Sequence, residues 1–271
     1  MASPPVLPPV NWYRAYGQLL AADFPLPELR CAEPGVPAWT ISLAGPIERG
    51  RRPTGVVMGS QHLYGNYAAT LYRVADGWRI VVDDTAEFIL NQDGSAITAS
   101  SYPDGSPDFL RAHLLGRVLA TSLHLRGQLV LHGSAVNLAE GAVAFMAPKG
   151  SGKSTLGLAL TAAGGRLLSD DAIPVVMDEP SVVWPGVHSI RMHADIAHRF
   201  AGRLPSEQRP DGKFVLTDLP DDQLEVRACP LSAIYLLTPA SSIANGASVY
   251  RAQLPTPTAT AALVGQSKIP E

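Results

Sequence analysis

Three consecutive segments between residues 142 and 165 constrain the fold more than any other part of the sequence. The apolar run 142–146 has the length and composition of a buried strand. A glycine-rich loop follows at 147–152, and a helical pattern covers about 153–163 before Gly164 and Gly165 end it. A strand that passes through a short loop into a helix is the basic unit of α/β proteins, so we expect an α/β fold.

The loop between this strand and helix has the residues of a phosphate-binding loop. Residues 147–154 read APKGSGKS, which matches the pattern G-x-x-x-x-G-K-[ST] at Gly152, Lys153 and Ser154 and departs from it at Ala147. Gly150 and Gly152 allow backbone N–H groups to turn toward an anion, and the positive end of the following helix favours the same charge. We therefore predict that the loop binds a nucleoside triphosphate.

The polar side chains of this loop have separate predicted tasks. Lys153 reaches the β- and γ-phosphates as a mobile cation, and the hydroxyl of Ser154 holds Mg²⁺ beside them. The remaining predicted nucleotide contacts come from Lys149, Gly150, Ser151, Gly152 and Thr155.

Lysine is scarce in this chain. Lys149, Lys153, Lys213 and Lys268 are the only lysines, against 17 arginines. Codon bias accounts for the ratio, but a lysine kept in such a chain indicates a need for a compact point charge. Two of the four lie in the predicted phosphate loop.

Two adjacent acids, Asp170 and Asp171, end the strand predicted over 166–169. Such a pair is ordinarily a helix cap or a solvated turn. Here the strand follows the loop's own helix, and the ends of adjacent strands in an open α/β sheet meet at one crevice. We therefore expect both carboxylates beside the triphosphate, where adjacent acids serve catalysis or bind Mg²⁺.

The order of these motifs is similar to one known family. His132-Gly133, then the phosphate loop, then GGRLLSDD over 164–171, resembles the catalytic domain of bacterial HPr kinase/phosphorylase, and the match covers about 128–240. The resemblance implies an α/β P-loop kinase domain of the HPr kinase and phosphoenolpyruvate carboxykinase-like type, with a smaller β-rich N-terminal domain. It also implies ATP as the phosphate donor and a serine hydroxyl as the acceptor.

The resemblance assigns roles to several residues. Asp170 is the base, and Asp171 assists it or holds Mg²⁺ through water, with the two roles interchangeable. His132 hydrogen-bonds the catalytic acid, although a lone histidine on an apolar strand is as readily a packed residue. Arg191 and Lys213 fall where the related kinases carry basic residues; each stabilises the transferring phosphoryl group, grips an acidic peptide, or is a solvated loop cation.

The N-terminal half resembles a different branch. The segment 13–29, YRAYGQLLAADFPLPEL, is similar to the HPr-kinase-like proteins of lasso-peptide gene clusters, which phosphorylate a serine at the C-terminus of a precursor peptide. The resemblance implies a lasso-peptide precursor as the substrate. The glycine-rich signature that standard members use for the reverse, phosphorylase reaction is not found after the catalytic core.

The chain is expected to form two domains, a β-rich domain over 1–105 with a substrate-binding role and a catalytic domain over 106–271. Short β-branched or alternating runs predict strands at 39–43, 68–74, 78–82 and 87–98, the last with a hairpin turn at Asp93-Gly94. The stretch 45–67 is glycine-rich and polar, which predicts a loop. A helix is expected from a Ser106 cap to Gly127. Further strands are expected at 128–137, 173–176, 182–184 and 232–237, and helices at 194–201 and weakly at 259–266.

Composition excludes some partners. With 46% apolar and 17% charged residues and a net charge of −3, the chain is globular and has no basic field for nucleic acid or an anionic membrane. Two distant cysteines indicate a reducing compartment, and the N-terminus does not read as a signal peptide, so we expect a cytoplasmic location. Oligomeric state is left open.

Two alternatives to a dedicated peptide kinase stay open. One is a bifunctional kinase/phosphorylase acting on a carrier protein, which the reversal of phosphorylation by inorganic phosphate would select. The other is a nucleotide-binding regulator or ATPase switch without an acceptor, which would turn over ATP without phosphorylating any peptide.

Overall fold

The structure is a computed structural model that describes residues 10–50, 52–65, 67–83, 85–194, 196, 198, 214–217, 219–238 and 251–268. It is a mixed α/β protein with two large sheets and a few helices. The chain divides into two compact units, one up to Gly127 and the other over Gln128–Lys268. Within the described ranges, no helix has the length and apolar character needed to cross a membrane. The helix expected over 194–201 lies largely outside these ranges.

The N-terminal unit is built on one nine-stranded sheet. Its strands are β1 (Asn11–Ala15), β2 (Gln18–Ala22), β3 (Arg30–Cys31), β4 (Trp39–Leu43), β5 (Val56–Tyr64), β6 (Tyr67–Val74), β7 (Gly77–Val82), β8 (Ala86–Leu90) and β9 (Ala96–Ser101). Their order is β3-β1-β2-β4-β9-β8-β7-β6-β5, and only the pairs β2–β4 and β4–β9 are parallel. The strands expected in this region at 39–43, 68–74 and 78–82 are confirmed, as is the hairpin that joins β8 to β9 through Asp93-Gly94.

The prediction of a loop over 45–67 is wrong, because this stretch contains the nine residues of β5. The strand lies at the edge of the sheet and pairs only with β6, through a ladder with two irregularities. Its apolar side chains Val56, Val57 and Met58 are all exposed. An edge strand of this kind lacks the alternation of buried and exposed residues that reveals a strand in sequence.

The helical stretch after the sheet is confirmed but has three parts. These are α1 (Pro107–His113), a π-helical turn (Leu114–Val118) and α2 (Leu119–Leu125), and Gly127 follows with a φ of 75°. Ser106 has the extended conformation of a cap residue, but its side chain makes no capping hydrogen bond, contrary to expectation.

This helix packs on the N-terminal sheet, which moves the division between the units from the expected residue 105 to Gly127. The hydroxyl of Tyr16 donates a hydrogen bond to the carbonyl of Leu115 at 2.6 Å. The indole N–H of Trp39 donates to Ser122 Oγ at 2.7 Å. Both hydrogen bonds are buried and join residues far apart in the sequence. Helical periodicity reports only local spacing, so it could not predict which domain contains the helix.

The C-terminal unit contains a seven-stranded sheet, a two-stranded sheet and two α-helices among its described residues. The strands of the larger sheet are β10 (Leu129–Leu131), β11 (Gly133–Leu138), β12 (Gly141–Met146), β13 (Arg166–Asp170), β14 (Ile173–Val176), β15 (Val182–Val183) and β18 (Cys229–Leu236). Their order is β10-β14-β15-β18-β12-β11-β13. The smaller sheet pairs β16 (Ile190–Met192) with β17 (Phe214–Leu216), and the helices are α3 (Lys153–Ala162) and α4 (Thr256–Gly265).

The ends of β12 and β13 lie at one edge of this sheet, as expected. Strand β11 is antiparallel to both of them, so β12 and β13 run in the same direction, on either side of β11. The predicted phosphate loop leaves the end of β12, and the acid pair lies at the end of β13. The expected strand 128–137 is interrupted at His132, because β10 pairs with β14 whereas β11 pairs with β12 and β13.

Helix α3 lies between the larger sheet and the β16–β17 pair. Its Leu158 shares a buried cluster with Ile190 and Met192 of β16. On the sheet side the helix approaches so closely that a Cβ on Gly157 would lie 2.3 Å from the hydroxyl of Ser134. This close packing brings the first turn of α3 to the end of β13.

Candidate functional site

The glycines of the predicted phosphate loop have the backbone conformation that the motif requires. Gly150 and Gly152 have φ values of 87° and 84°. Apart from the adjoining residues, no atom of the described chain lies within 4 Å of the place where either would carry a Cβ. Left-handed residues with open space beside them are typical of a loop that presents its N–H groups to an anion. In the described part of the chain the non-glycine residues with positive φ are Tyr16 and Asp171, so Ala147 does not need glycine's freedom.

Lys153 begins α3 and folds back onto the loop. Its ammonium group donates to the carbonyl of Ala147 at 2.7 Å and to that of Pro148 at 3.2 Å, and the residue is 8% exposed. The other loop residues predicted to contact the nucleotide lie on either side of Lys153 in the sequence. Lys149 is exposed, Ser151 is partly buried, and Thr155 follows in the first turn of the helix.

Ser154 joins the loop to the acid pair. Its hydroxyl donates to Oδ2 of Asp170 at 3.0 Å. Asp170 is 5% exposed, and its other oxygen, Oδ1, has no hydrogen-bond partner in the described chain. Ser134 faces Asp170 directly across the β11–β13 ladder, and its hydroxyl is likewise buried without a partner. An orphaned carboxylate oxygen therefore lies in a buried polar space beside the loop.

This environment makes Asp170 a weaker acid than an ordinary aspartate. Burial, reinforced by the negative charge of the adjacent Asp171, raises the pKa of Asp170 from its ordinary 3.8 to about 6. The hydrogen bond from Ser154, the nearby Ser134 hydroxyl and the charge of Arg191 oppose this rise, although the Ser134 hydroxyl forms no well-aligned hydrogen bond. The carboxylate is still mostly ionised at neutral pH. A proton acceptor with a pKa just below the working pH suits general base chemistry.

Asp171 lies in the opposite electrostatic environment, among three basic side chains. Its Oδ2 forms ion pairs with Lys268 and with Arg191, the latter at 3.4 Å. Nδ1 of His132 lies 3.3 Å from its Oδ1. Burial opposes the ionisation of Asp171, but Lys268, Arg191 and His132 outweigh it and hold its pKa well below the ordinary value. Asp171 is therefore ionised at neutral pH, and both of its carboxylate oxygens have partners.

The structure brings most of the predicted site residues together, but two of them contact a different acid from the one predicted. His132 contacts Asp171 and not Asp170. Ser154, the predicted Mg²⁺ ligand, contacts Asp170, whereas the carboxylate of Asp171, its predicted co-ligand, is engaged by cations. Arg191 belongs to the site, because it forms an ion pair with Asp171. Its neighbours in β16, Ile190 and Met192, are buried and hold it there. Lys213 lies outside the described residues.

Two residues of this site carry no role in the sequence-based prediction. Ser134 has no signal other than its place two residues after His132. For Lys268 the sequence gives one weak indication of a role, because it is one of four lysines in an arginine-rich chain. Lys268 lies 97 positions from Asp171, and its approach depends on the backbone pairing of residues 266–268 with residues 130–132, which no local pattern reports.

Ser154 and Asp170 fit a magnesium ion bound chiefly by phosphates. They offer the Ser154 hydroxyl oxygen and, beside it, Oδ2 of Asp170, whose other oxygen lacks a partner among the described residues. Mg²⁺ in nucleotide sites takes one or two protein oxygens and completes its shell with phosphates and water. No cluster of three or more histidine, cysteine or acidic side chains suited to a metal occurs among the described residues. Ser154 and Asp170 would therefore suit an ion that arrives bound to a nucleotide.

Neither the protein-family models nor the curated proteins include a match to this chain.

The unequal acids give a prediction that does not depend on any activity. In a ¹³C NMR titration of aspartate carboxyl carbons, we expect one resonance to titrate near pH 6 and to disappear in the Asp170→Asn variant. Replacement of Asp171 by asparagine removes a negative charge and should lower the pKa of Asp170. An unchanged Asp170 titration in that variant would contradict the electrostatic coupling of the pair.

Proposed function

We propose that this chain is an ATP-dependent serine kinase of the HPr kinase and phosphoenolpyruvate carboxykinase-like type, which transfers the γ-phosphate to a peptide. The observation that carries the proposal is the hydrogen bond between Ser154 and Asp170, which links a glycine loop at a helix N-terminus to a buried acid with a raised pKa. Nucleotide sites without an acceptor also place an acid beside the loop serine to hold Mg²⁺. The features that favour a base are the raised pKa of Asp170 and its second oxygen without a partner among the described residues.

The residues divide the work of phosphoryl transfer among them. The loop N–H groups and Lys153 hold the triphosphate, and Ser154 and Asp170 Oδ2 would hold Mg²⁺, which neutralises phosphate charge when bound. Asp170 takes the serine proton at Oδ1 as the serine oxygen bonds to the γ-phosphorus. The bond from that phosphorus to the β–γ bridging oxygen breaks, and ADP leaves. Arg191 stabilises negative charge beside the acid pair.

The acceptor is proposed to be a lasso-peptide precursor that carries a serine at its C-terminus, held by the N-terminal unit. The similarity of residues 13–29 to the lasso-cluster kinases supports this choice. A carboxylate with a pKa of about 6 matches an alcohol acceptor, because a serine hydroxyl gives up its proton only to a positioned base.

Mass spectrometry of candidate peptides tests the proposal. Precursor-like peptides that end in serine, incubated with the protein, ATP and Mg²⁺, should gain the mass of one phosphoryl group. The same peptides with that serine replaced by alanine should gain none. ATP turnover without any phosphorylated peptide would select the ATPase switch, and efficient removal of the phosphate by inorganic phosphate would select the bifunctional kinase/phosphorylase.

A further inference from the structure

The segment of residues 266–268, here called the C-terminal arm, pairs with the strand that leads to His132. The backbone N–H of His132 donates to the carbonyl of Gln266 at 2.7 Å, and Ser267 forms an antiparallel bridge with Leu131. The N–H of Lys268 in turn donates to the carbonyl of Val130 at 2.8 Å. The arm follows α4, whose Leu263 packs against the core of the C-terminal unit. This backbone pairing fixes where the side chain of Lys268 can reach.

Lys268 holds Asp171 at two points. Its ammonium group forms the ion pair with Oδ2 and also donates to the backbone carbonyl of Asp171 at 2.9 Å. His132 has the same double contact from another side, with Nδ1 3.1 Å from that carbonyl and 3.3 Å from Oδ1. The side chain of Lys268 is 14% exposed, so these charged contacts are largely shielded from water.

The residue held in this way has a strained backbone. Asp171 has a φ of 75°, in the left-handed region that residues with a side chain seldom adopt. Such a conformation persists only where surrounding contacts over-determine it. The strained residue directly follows Asp170, so the contacts on Asp171 also set the direction in which the Asp170 carboxylate leaves the end of β13.

We propose that Lys268 is a positioning residue that clamps Asp171 and thereby makes Asp170 the one acid of the pair with an oxygen open for reaction. The assignment of a catalytic role to Asp170 rests on the proposed function. Lys268, Arg191 and His132 occupy both carboxylate oxygens of Asp171, whereas Asp170 keeps Oδ1 without a partner. The C-terminal arm thus gives two chemically identical side chains different roles. Asp171 is a fixed negative charge, and Asp170 is the residue that reacts.

A comparison of kinetic constants tests the clamp. Lys268→Met should lower kcat for phosphoryl transfer about 10- to 100-fold, because a small misplacement of a reacting group has effects of this size. The KM for ATP should stay within about twofold, since the loop is untouched. Lys268→Arg, which keeps the charge and N–H donors, should restore most of kcat. The control is Arg227→Met, which removes an 83% exposed cation of the same unit and should leave both constants unchanged.

A double-variant cycle gives a second readout that needs no activity. Urea unfolding midpoints of Lys268→Met, Asp171→Asn and the double variant, in the nucleotide-free protein, should be strongly non-additive, because each single change already breaks the clamp. Additive midpoints would overturn the clamp, as would an unchanged kcat in Lys268→Met. Coupled midpoints in a protein that phosphorylates no acceptor would instead overturn the proposed function and leave the clamp in place.

Discussion

Replacement of Asp170 by asparagine should lower phosphoryl transfer about 10²- to 10⁴-fold, the usual contribution of a positioned general base. Nucleotide binding should change far less than transfer, because the loop and Lys153 are untouched. The amide oxygen of asparagine can still accept the hydrogen bond from Ser154 and can still offer a neutral oxygen to Mg²⁺. The measurement is kcat by peptide mass spectrometry together with the Kd of a fluorescent ATP analogue. Transfer at the wild-type rate would remove Asp170 from the base role.

The same variant should be more stable than the wild type above pH 6. The folded-state pKa of Asp170 is raised from 3.8 to about 6, so the ionised carboxylate destabilises the fold, and this destabilisation grows as pH rises between those values. Two pKa units correspond to about 3 kcal/mol. Asparagine cannot ionise, and its N–H₂ group can donate to the orphaned hydroxyl of Ser134. We therefore expect an increase in Tm of roughly 5 °C at pH 8 that disappears below about pH 4.

Asp178→Asn is the matched control for both measurements. Asp178 lies in the same unit, is exposed, and loses the same charge in the substitution. Neither its transfer rate nor its Tm should change beyond the small effects of surface substitutions. A stability gain in Asp178→Asn as large as that in Asp170→Asn would show that general charge repulsion, and not burial of Asp170, is the cause.

Lys153→Ala should have the largest effect on nucleotide affinity. Lys153 is the buried cation of the loop, and its ammonium donates to two loop carbonyls, at 2.7 and 3.2 Å. Loss of a buried charge from a phosphate site weakens binding at least about 100-fold. The Kd for the ATP analogue should rise accordingly, and peptide phosphorylation should be lost.

Lys149→Ala provides the comparison within the same loop. Lys149 is exposed, so its interaction with phosphate is screened by water and salt, and its removal should weaken binding only a few-fold. If Lys153→Ala bound the analogue as tightly as Lys149→Ala, the assignment of 147–154 as the phosphate loop would fail.

Much of the loop was predictable because its chemistry is local. The positive φ of Gly150 and Gly152 and the start of α3 at Lys153 follow from residue types that lie next to one another in the chain. Strand β5 was not predicted, because an edge strand with exposed apolar residues lacks the alternation of apolar and polar residues that a buried face produces. The boundary between the units shifted because the contacts of the helix after β9 are long-range.

The sequence by itself determined the components of the site: the glycine loop, Lys153, Ser154 and the two adjacent aspartates. Only the tertiary structure decided how the aspartates differ. Residues 132, 191 and 268 come from three distant parts of the chain and converge on Asp171, whereas Asp170 turns into the buried space between Ser154 and Ser134. A carboxylate's pKa depends on its burial and on the charges within a few ångströms, and neither is a property of local sequence.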